Sequence, residues 1–91
     1  QFKMDFGIIG ISGIHADGSL LDFDYREVRV AQTIIANSRQ VLLAADHTKF
    51  GRNAMVRLGD ITQAHHFFTD QTPHADITQM LKDNQVELHV V

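Results

Sequence analysis

Four short segments rich in strand-forming residues are spread along the chain. They are residues 4–9, 41–45, 66–69 and 86–91. Mostly apolar runs of this length are typical of strands buried in a parallel sheet. Two weaker strands are expected at residues 20–21 and 54–58, the first of them pairing across the turn that the Asp-Gly dipeptide at residues 17–18 marks.

Two further segments carry apolar residues at the spacing of an α-helix. Their apolar stripes consist of Val28, Ala31, Ile34 and Ile35 in the first segment and of Ile77, Met80 and Leu81 in the second. Asp24 is a suitable N-cap for the first helix and Glu27 could complete a capping box, with the helix ending near residues 37–38. For the second helix, Thr72 is the expected N-cap and Pro73 the first helical residue, where its missing N–H costs nothing.

The order of these elements predicts an α/β fold with a mostly parallel sheet and helices packed on it. Ligands of parallel α/β sheets bind just beyond the carboxyl ends of the strands. Three polar loops follow predicted strands, at residues 10–13, 46–49 and 70–71. If their strands are parallel, all three loops open on the same edge of the sheet, which is where we expect a site.

The first loop places Ser12 between two glycines, Gly10 and Gly13. Glycine permits positive φ and close backbone approach, so the amides of this loop could face an anionic or hydroxylated ligand, and Ser12 adds a hydroxyl. The alternative is a tight connection that needs glycine for steric reasons. Short Gly-Ser-Gly patterns are common, so the pattern alone leaves both interpretations open.

The second loop offers a carboxylate and an ammonium group three residues apart, Asp46 and Lys49, with His47 and Arg52 nearby. Asp46 could accept hydrogen bonds from ligand hydroxyls, and Lys49 could pair with a phosphate. The alternative is that Asp46 caps a turn and Lys49 lies in solvent. The position of the loop after a buried strand raises the functional interpretation to equal weight.

Other chemistry is weaker in this sequence. Glu27 lies one helix turn from the first loop and could either face it or serve the capping box alone, and Asp70 is expected to cap its loop. The six histidines show no His-x-His or His-x-x-x-His pair, and His65 and His66 should point to opposite faces of a strand, so no metal site is expected. No catalytic nucleophile elbow and no phosphate loop of the Gly-Lys-Ser/Thr type is present.

The composition is that of one small globular domain, with 91 residues, 44% of them hydrophobic. The net charge is −3 and the eight basic residues are scattered, so this segment is not expected to contact nucleic acid itself. The absence of cysteine suits a cytoplasmic protein, and no apolar run approaches the about 20 residues of a membrane span. Gln1 opens the chain and strands are predicted close to both ends, so we expect a piece of a larger protein.

Residues 5–59 resemble the effector domain of DeoR-family transcriptional repressors. The shared pattern begins with a strand. It continues with Gly-x-Ser-Gly at residues 10–13, an acidic helix at 27–35, an apolar strand at 41–45 and Asp-x-x-Lys-Phe at 46–50. The stretches GSLLDFDYREVR and DHTKFGRNAMV are similar in detail to the members that regulate glycerol metabolism genes. That similarity implies a phosphorylated sugar or polyol as effector, with glycerol 3-phosphate as the first choice.

The resemblance further implies a three-layer fold similar to ribose-5-phosphate isomerases and coenzyme A transferases, of which residues 1–91 would be the C-terminal part. It implies a homo-oligomer that binds operator DNA through an N-terminal helix-turn-helix outside this chain, no membrane contact, no cofactor, and a first half of the domain that holds the phosphate. The implied effector-binding residues are Gly10, Ser12, Gly13, Glu27, Asp46 and Lys49. The helix departs from the family pattern at Arg29 and Ala31, which puts in doubt any ligand role for this helix beyond Glu27.

Two other functions are alternatives to that of a non-catalytic sensor. In a sugar-phosphate isomerase, Asp46 would lie near a general base and Lys49 would stabilise charge on an enediolate. The sequence offers no further acidic cluster for that chemistry, so we expect no enzyme and no catalytic residues. The third alternative is a scaffold or oligomerisation fragment without a surviving site.

Overall fold

Seven strands and two α-helices make up the fold in the computed structural model, which describes residues 3–54 and 56–91. In chain order they are β1 (Met4–Gly10), β2 (Gly13–Ile14), β3 (Ser19–Asp22), α1 (Tyr25–Asn37), β4 (Ser38–Ala44), β5 (Val56–Asp60), β6 (His66–Thr69), α2 (Ala75–Asp83) and β7 (Glu87–Val90). Single 3₁₀ turns lie at His47–Lys49 and Ile61–Gln63. Neither α-helix is long and apolar enough to cross a lipid bilayer.

The main sheet has four strands in the order β1-β4-β6-β7, and all of its neighbouring strands are parallel. The register pairs Gly10 with Ala44 and Ala44 with Phe68, so the strands end side by side. The prediction of a parallel α/β sheet is thereby confirmed. A second, antiparallel sheet has the order β2-β3-β5. The strand predicted at 54–58 therefore belongs to this smaller sheet.

One hydrophobic core lies between the main sheet and the elements packed on one of its faces. The sheet contributes Ile9, Val41, Leu43 and Phe67, the helices contribute Val28, Ala31, Ile77 and Leu81, and the smaller sheet contributes Ile14, Leu20 and Leu58. Side chains alternate across a strand, so the intervening residues point to the opposite face. There, in β1, Phe6 and Ile8 are 63% and 68% exposed.

The predicted helix start at Asp24 is confirmed, but the predicted capping box is not formed. The Asp24 carboxylate accepts the Arg26 N–H at 2.8 Å, and the Asp24 N–H donates to Asp22 Oδ1 at 3.3 Å. Because Asp22 satisfies the amide that Glu27 would have bonded, the Glu27 side chain stays in solvent. The core stripe of α1 is as predicted.

The second helix begins two residues later than expected. Its N-cap is His74, whose Nδ1 accepts the Asp76 N–H at 3.2 Å, so Thr72 and Pro73 both precede the helix. An imidazole nitrogen thus replaces the hydroxyl that the sequence pattern favoured. Strand β4 also starts earlier than predicted, directly after α1 at Ser38. Met55, within the strand predicted at 54–58, lies outside the described residues.

Candidate functional site

The three polar loops singled out in the sequence all lie at the carboxyl edge of the main sheet. Gly10 ends β1, Asp46 follows β4 after one intervening residue, and Asp70 directly follows β6. Since β1, β4 and β6 are parallel and in register, their loops open on the same side. The prediction that the three loops open on the same edge of the sheet is confirmed.

The first two loops are joined by backbone contacts. The Gly51 N–H donates to the Ile14 carbonyl at 2.9 Å, and Ile14 forms an isolated parallel bridge with Phe50. Gly51 has φ of 78°, a left-handed conformation that favours glycine at this turn. The segment after Gly10 and the segment after Asp46 therefore form one continuous surface.

The two glycines of the first loop have different roles. A Cβ on Gly13 would lie 2.5 Å from the Arg52 carbonyl oxygen, so Gly13 is needed for close approach of the two loops. A Cβ on Gly10 would meet no atom within 4 Å. Neither glycine adopts the positive φ that glycine permits, because both lie in extended strands. The steric interpretation holds for Gly13, whereas no packing contact explains Gly10.

Ser12 lies between them and is tied to β3. Its N–H donates to the Leu21 carbonyl at 3.0 Å, and its hydroxyl donates to Asp22 Oδ1 at 3.2 Å. Asp22 also receives the Phe23 N–H at 2.8 Å, so this carboxylate organises the turn between β3 and α1. The hydroxyl of Ser12 keeps a free lone pair with which it can accept a further hydrogen bond.

Asp46 caps the 3₁₀ turn that follows β4. Its Oδ1 accepts the Thr48 N–H at 2.8 Å and also the Thr48 hydroxyl. The hydrogen bonds from the Thr48 side chain and backbone, with the positive charge of Lys49, hold the pKa of Asp46 below its usual value of 3.8, against the opposing effects of desolvation and of the Asp70 charge. The capping alternative is thus correct for Oδ1, while Oδ2 faces Lys49.

Lys49 lies against this turn and not fully in solvent. Its Nζ is 4.0 Å from Asp46 Oδ2, and its side chain is 28% exposed. At that distance the pair attracts without a direct hydrogen bond, so the ammonium protons remain free for another acceptor. Lys49 is therefore partly buried against the turn, and its role in ligand binding stays a prediction.

His47 connects the second loop to the third. Its N–H donates to Asp70 Oδ1 at 2.7 Å, and its Nδ1 lies 2.7 Å from Asp70 Oδ2. These hydrogen bonds, the side-chain one foremost, lower the pKa of Asp70 below 3.8. Asp70 was expected to cap its own loop, but its main partner lies 23 residues away.

Glu27 lies apart from these contacts, on the α1 side of the edge. It lines a shallow groove between β1 and α1 together with Gly10, Ile8 and Val30. Within the described residues, no hydrogen bond or ion pair joins Glu27 to the Asp46–Lys49 turn. Ser12, Gly13, Asp46 and Lys49 thus lie in two loops that contact each other. Gly10 lies in the groove that Glu27 also lines.

The helix departure from the family pattern has a packing consequence. Ala31 is 7% exposed and packs into the core, and Arg29 is exposed. A small apolar residue in the core has no group that could reach a ligand at the sheet edge. Glu27 is therefore the α1 residue in the predicted set that remains available to a ligand.

Sequence reasoning gave too little weight to His47, Asp70 and Asp22. The available signal was position: Asp22 ends β3, Asp70 directly follows β6, and His47 is the neighbour of Asp46 in the loop after β4. Their pairings depend on the strand register, which no local pattern encodes. Together with Lys49 and Arg52, they give the edge a mixed set of carboxylates, imidazole and cations.

Known proteins resemble this chain along most of its length. A family profile described as the DeoR C-terminal sensor domain matches residues 1–71. The chain belongs to that family. The sensor domain is 53% identical over 90 residues to the glycerol-3-phosphate regulon repressor of Escherichia coli (strain K12), an alignment covering 99% of this chain and 36% of the repressor.

Two further repressors show the same relationship. The sensor domain is 53% identical over 88 residues to the glycerol-3-phosphate regulon repressor of Haemophilus influenzae, covering 97% of this chain and 34% of that protein. It is 38% identical over 88 residues to the HTH-type transcriptional repressor CsqR of Escherichia coli, with the same two coverages. The chain therefore spans about a third of the length of the curated relatives it matches, and those relatives are named as transcriptional repressors.

Proposed function

We propose that this sensor domain is the effector-binding part of a transcriptional repressor and that its effector is a phosphorylated polyol, best matched by glycerol 3-phosphate. The observation that carries the proposal is the joined pair of loops at the carboxyl edge of the parallel sheet, built on the Gly-x-Ser-Gly and Asp-x-x-Lys motifs. The identity of 53% to two glycerol-3-phosphate regulon repressors supports the choice of effector.

The proposed contacts follow from the chemistry of each group. Lys49 supplies positive charge to the phosphate, because its ammonium group lies 4.0 Å from Asp46 Oδ2 and has protons to donate. Asp46 Oδ2 and Glu27 accept hydrogen bonds from the polyol hydroxyls. Gly10 leaves open space above the end of β1, where a ligand can approach the backbone closely.

Ser12 and Gly13 complete the proposed site in different ways. Ser12 offers its hydroxyl as an additional acceptor, and Gly13 keeps the first loop against the Arg52 carbonyl so that both loops stay in register. The described groups around the edge include more carboxylates than cations. A dianionic phosphate therefore needs further donors, which we place in a preceding part of the sensor domain.

We assign residues 1–91 to the C-terminal part of the sensor domain. The support is the apolar open face of the main sheet, where Phe6 and Ile8 are exposed, and the coverage of 36% of a relative. A layer packed on that face would complete a three-layer fold similar to ribose-5-phosphate isomerase. Operator DNA would be bound by an N-terminal helix-turn-helix of a cytoplasmic homo-oligomer.

Effector binding would regulate the repressor by shifting a conformational equilibrium. A ligand shifts such an equilibrium only through different affinities for the DNA-bound and DNA-free states, and coupling of about 1–3 kcal/mol is typical. The hydrogen bond from His47 to Asp70 connects two loops of the site, so a ligand bound by Lys49 would affect the position of both loops.

The isomerase alternative is less well supported. A general base works best when its pKa is near the working pH, whereas hydrogen bonds from Thr48 lower the pKa of Asp46. Asp46 is therefore a weak base that suits a hydrogen-bond acceptor. The relatives named above are repressors, which agrees with the non-catalytic role.

The test is thermal unfolding of the full-length protein with and without glycerol 3-phosphate, using glycerol and inorganic phosphate as separate probes. We expect glycerol 3-phosphate to raise Tm, as any ligand of the native state does. Lys49→Gln should remove the increase, while Lys82→Gln, which changes an exposed lysine in α2, should retain it. An unchanged Tm of the unsubstituted protein at millimolar glycerol 3-phosphate would reject this effector.

A DNA-binding measurement tests the regulatory part of the proposal. Glycerol 3-phosphate should release the full-length repressor from its operator, with an effect that Lys49→Gln weakens and Lys82→Gln does not. Stable operator binding at saturating effector would reject relief of repression. Turnover of a pentose or hexose phosphate by the same preparation would favour the isomerase instead.

A further inference from the structure

Two histidines and a glutamate converge on the open face of the main sheet. Glu87 and His89 lie two residues apart in β7, so their side chains share one face of that strand. His66 in β6 is the direct register partner of Glu87, and Phe68 is the partner of His89. The cluster is therefore assembled by strand pairing and lies away from the Asp46 and Asp70 loops.

The ligand atoms of these three side chains lie close together. His66 Nδ1 is 3.0 Å from His89 Nε2. Glu87 Oε1 is 3.7 Å from His66 Nδ1, and Glu87 Oε2 is 3.7 Å from His89 Nε2. Two atoms bound at about 2.0–2.1 Å to one tetrahedral ion lie roughly 3.3–3.4 Å apart. The observed separations of 3.0 and 3.7 Å lie on either side of that value, so small side-chain rotations would suffice.

The surroundings of the cluster also suit an ion. The Phe68 ring stacks on the His89 imidazole with centroids 4.4 Å apart and an interplanar angle of 11°, which restricts the orientation of His89. The His66 and His89 side chains are 28% and 29% exposed, whereas Glu87 is 67% exposed. Within the described residues, one side of the cluster is thus open to solvent. The cluster lies at the β7 edge of the sheet, opposite the β1 edge where Phe6 and Ile8 would meet the proposed covering layer, so an entry path and room for a water ligand remain.

We infer that His66, Glu87 and His89 form a binding site for a divalent transition metal ion of the zinc class. Two imidazole nitrogens and one carboxylate are a donor set that Zn²⁺ and its neighbours Co²⁺ and Ni²⁺ accept, while Mg²⁺ and Ca²⁺ prefer oxygen alone. The fourth position would be taken by water. The ion would cross-link β7, which is an edge strand, to β6 and so hold the end of the sheet together.

No sequence pattern indicates this site, because its two histidines are 23 residues apart. Metal-ligand patterns in sequence are recognised by short spacings within one element, and here the spacing depends on the parallel register of β6 and β7. His65, the neighbour of His66, has a separate role: its Nδ1 accepts the Val41 N–H at 2.9 Å. The expectation of no metal site rested on local spacing alone.

The experiment is a titration of the chelator-treated protein with ZnCl₂ by calorimetry, and with CoCl₂ by visible absorption. We expect one equivalent of Zn²⁺ to bind and Co²⁺ to show an absorption spectrum that Zn²⁺ abolishes, with no binding of Mg²⁺ at the same concentration. His66→Gln and His89→Phe should each weaken Zn²⁺ binding by at least about tenfold. The phenylalanine variant preserves the ring stack on Phe68 while removing the ligand atom.

His15→Gln is the matched control, since His15 is an exposed histidine beside Asp17 and has no contact with the cluster. It should bind Zn²⁺ like the unsubstituted protein. Equal binding by all variants, or loss of binding in His15→Gln alone, would overturn the assignment, as would no Zn²⁺ binding at all. If the ligand variants do not fold, the imidazole ¹⁵N resonances of the unsubstituted protein decide: Zn²⁺ must shift those of His66 and His89.

Discussion

His47 and Asp70 are joined by two contacts of 2.7 Å, one from the His47 backbone N–H and one from its imidazole Nδ1. Each of these residues follows a different strand of the main sheet, so the pair fixes the loop after β4 to the loop after β6. The pair is about half exposed, with 49% and 41% of the two side chains accessible. Its importance therefore lies in positioning the Asp46–Lys49 turn more than in global stability.

Asp70→Asn is expected to lower stability and to do so in a pH-dependent manner. The pKa of Asp70 is lower in the folded protein than its usual 3.8, so the carboxylate stabilises the fold fully above about pH 4 and loses this effect as the pH falls through the folded-state pKa. The Tm difference between the unsubstituted protein and Asp70→Asn should be largest near neutral pH and shrink toward pH 3. Melting curves from pH 3 to 7 measure this, and a difference independent of pH would contradict it.

The parallel sheet could be predicted because its strands are buried on at least one face and carry runs of apolar residues such as those from Val41 to Ala45. The helices could be predicted from their apolar stripes. Strand β2 could not be predicted, because two residues show no periodicity. The sheet to which β5 belongs could not be predicted either, because only packing decides which sheet a weak strand joins. The predicted start of α2 was wrong because a histidine nitrogen caps this helix in place of a hydroxyl.

For the candidate site, sequence reasoning placed the loops but not their contacts. Gly13 was singled out as a residue of the first loop, yet the contact that requires a glycine there is with the carbonyl of Arg52, 39 positions further along the chain. The pairing of His47 with Asp70 arises from strand register in the same way. Residue type and position after a strand identify a candidate, whereas its partner is set by the tertiary fold.

Gly13→Ala and Gly10→Ala should separate a packing role from a ligand role. The added Cβ at Gly13 would lie 2.5 Å from the Arg52 carbonyl, so we expect a loss of about 1–3 kcal/mol in the free energy of unfolding. At Gly10 the Cβ meets no atom within 4 Å, so stability should change little while affinity for glycerol 3-phosphate falls. Chemical denaturation and effector titration of both variants test this. Equal stability losses would show that Gly10 is also a packing residue.

Asp24→Ala and Glu27→Gln form a second informative pair at the start of α1. Asp24 caps the helix through the Arg26 N–H, and removal of such a cap costs about 0.5–2 kcal/mol. Glu27 forms no capping box, so Glu27→Gln should leave the denaturation midpoint nearly unchanged and weaken effector binding. If Glu27→Gln instead lost as much stability as Asp24→Ala without affecting the effector, Glu27 would be a capping residue and not a ligand.

Phe67→Ala is expected to be the most destabilising of these substitutions, and Phe6→Ala is its control. Phe67 is completely buried and meets the edge of the Phe50 ring at a centroid distance of 6.0 Å, so truncation leaves a cavity that costs about 3–5 kcal/mol. That is a large share of the free energy of unfolding of a native domain, typically about 5–15 kcal/mol.

Phe6 is 63% exposed on the open face, so the 91-residue chain should tolerate its truncation. Denaturation of both variants, in this chain and in full-length protein, gives the comparison. A large loss from Phe6→Ala in the full-length protein alone would support a covering layer on that face, and an equally small loss in both would argue against it.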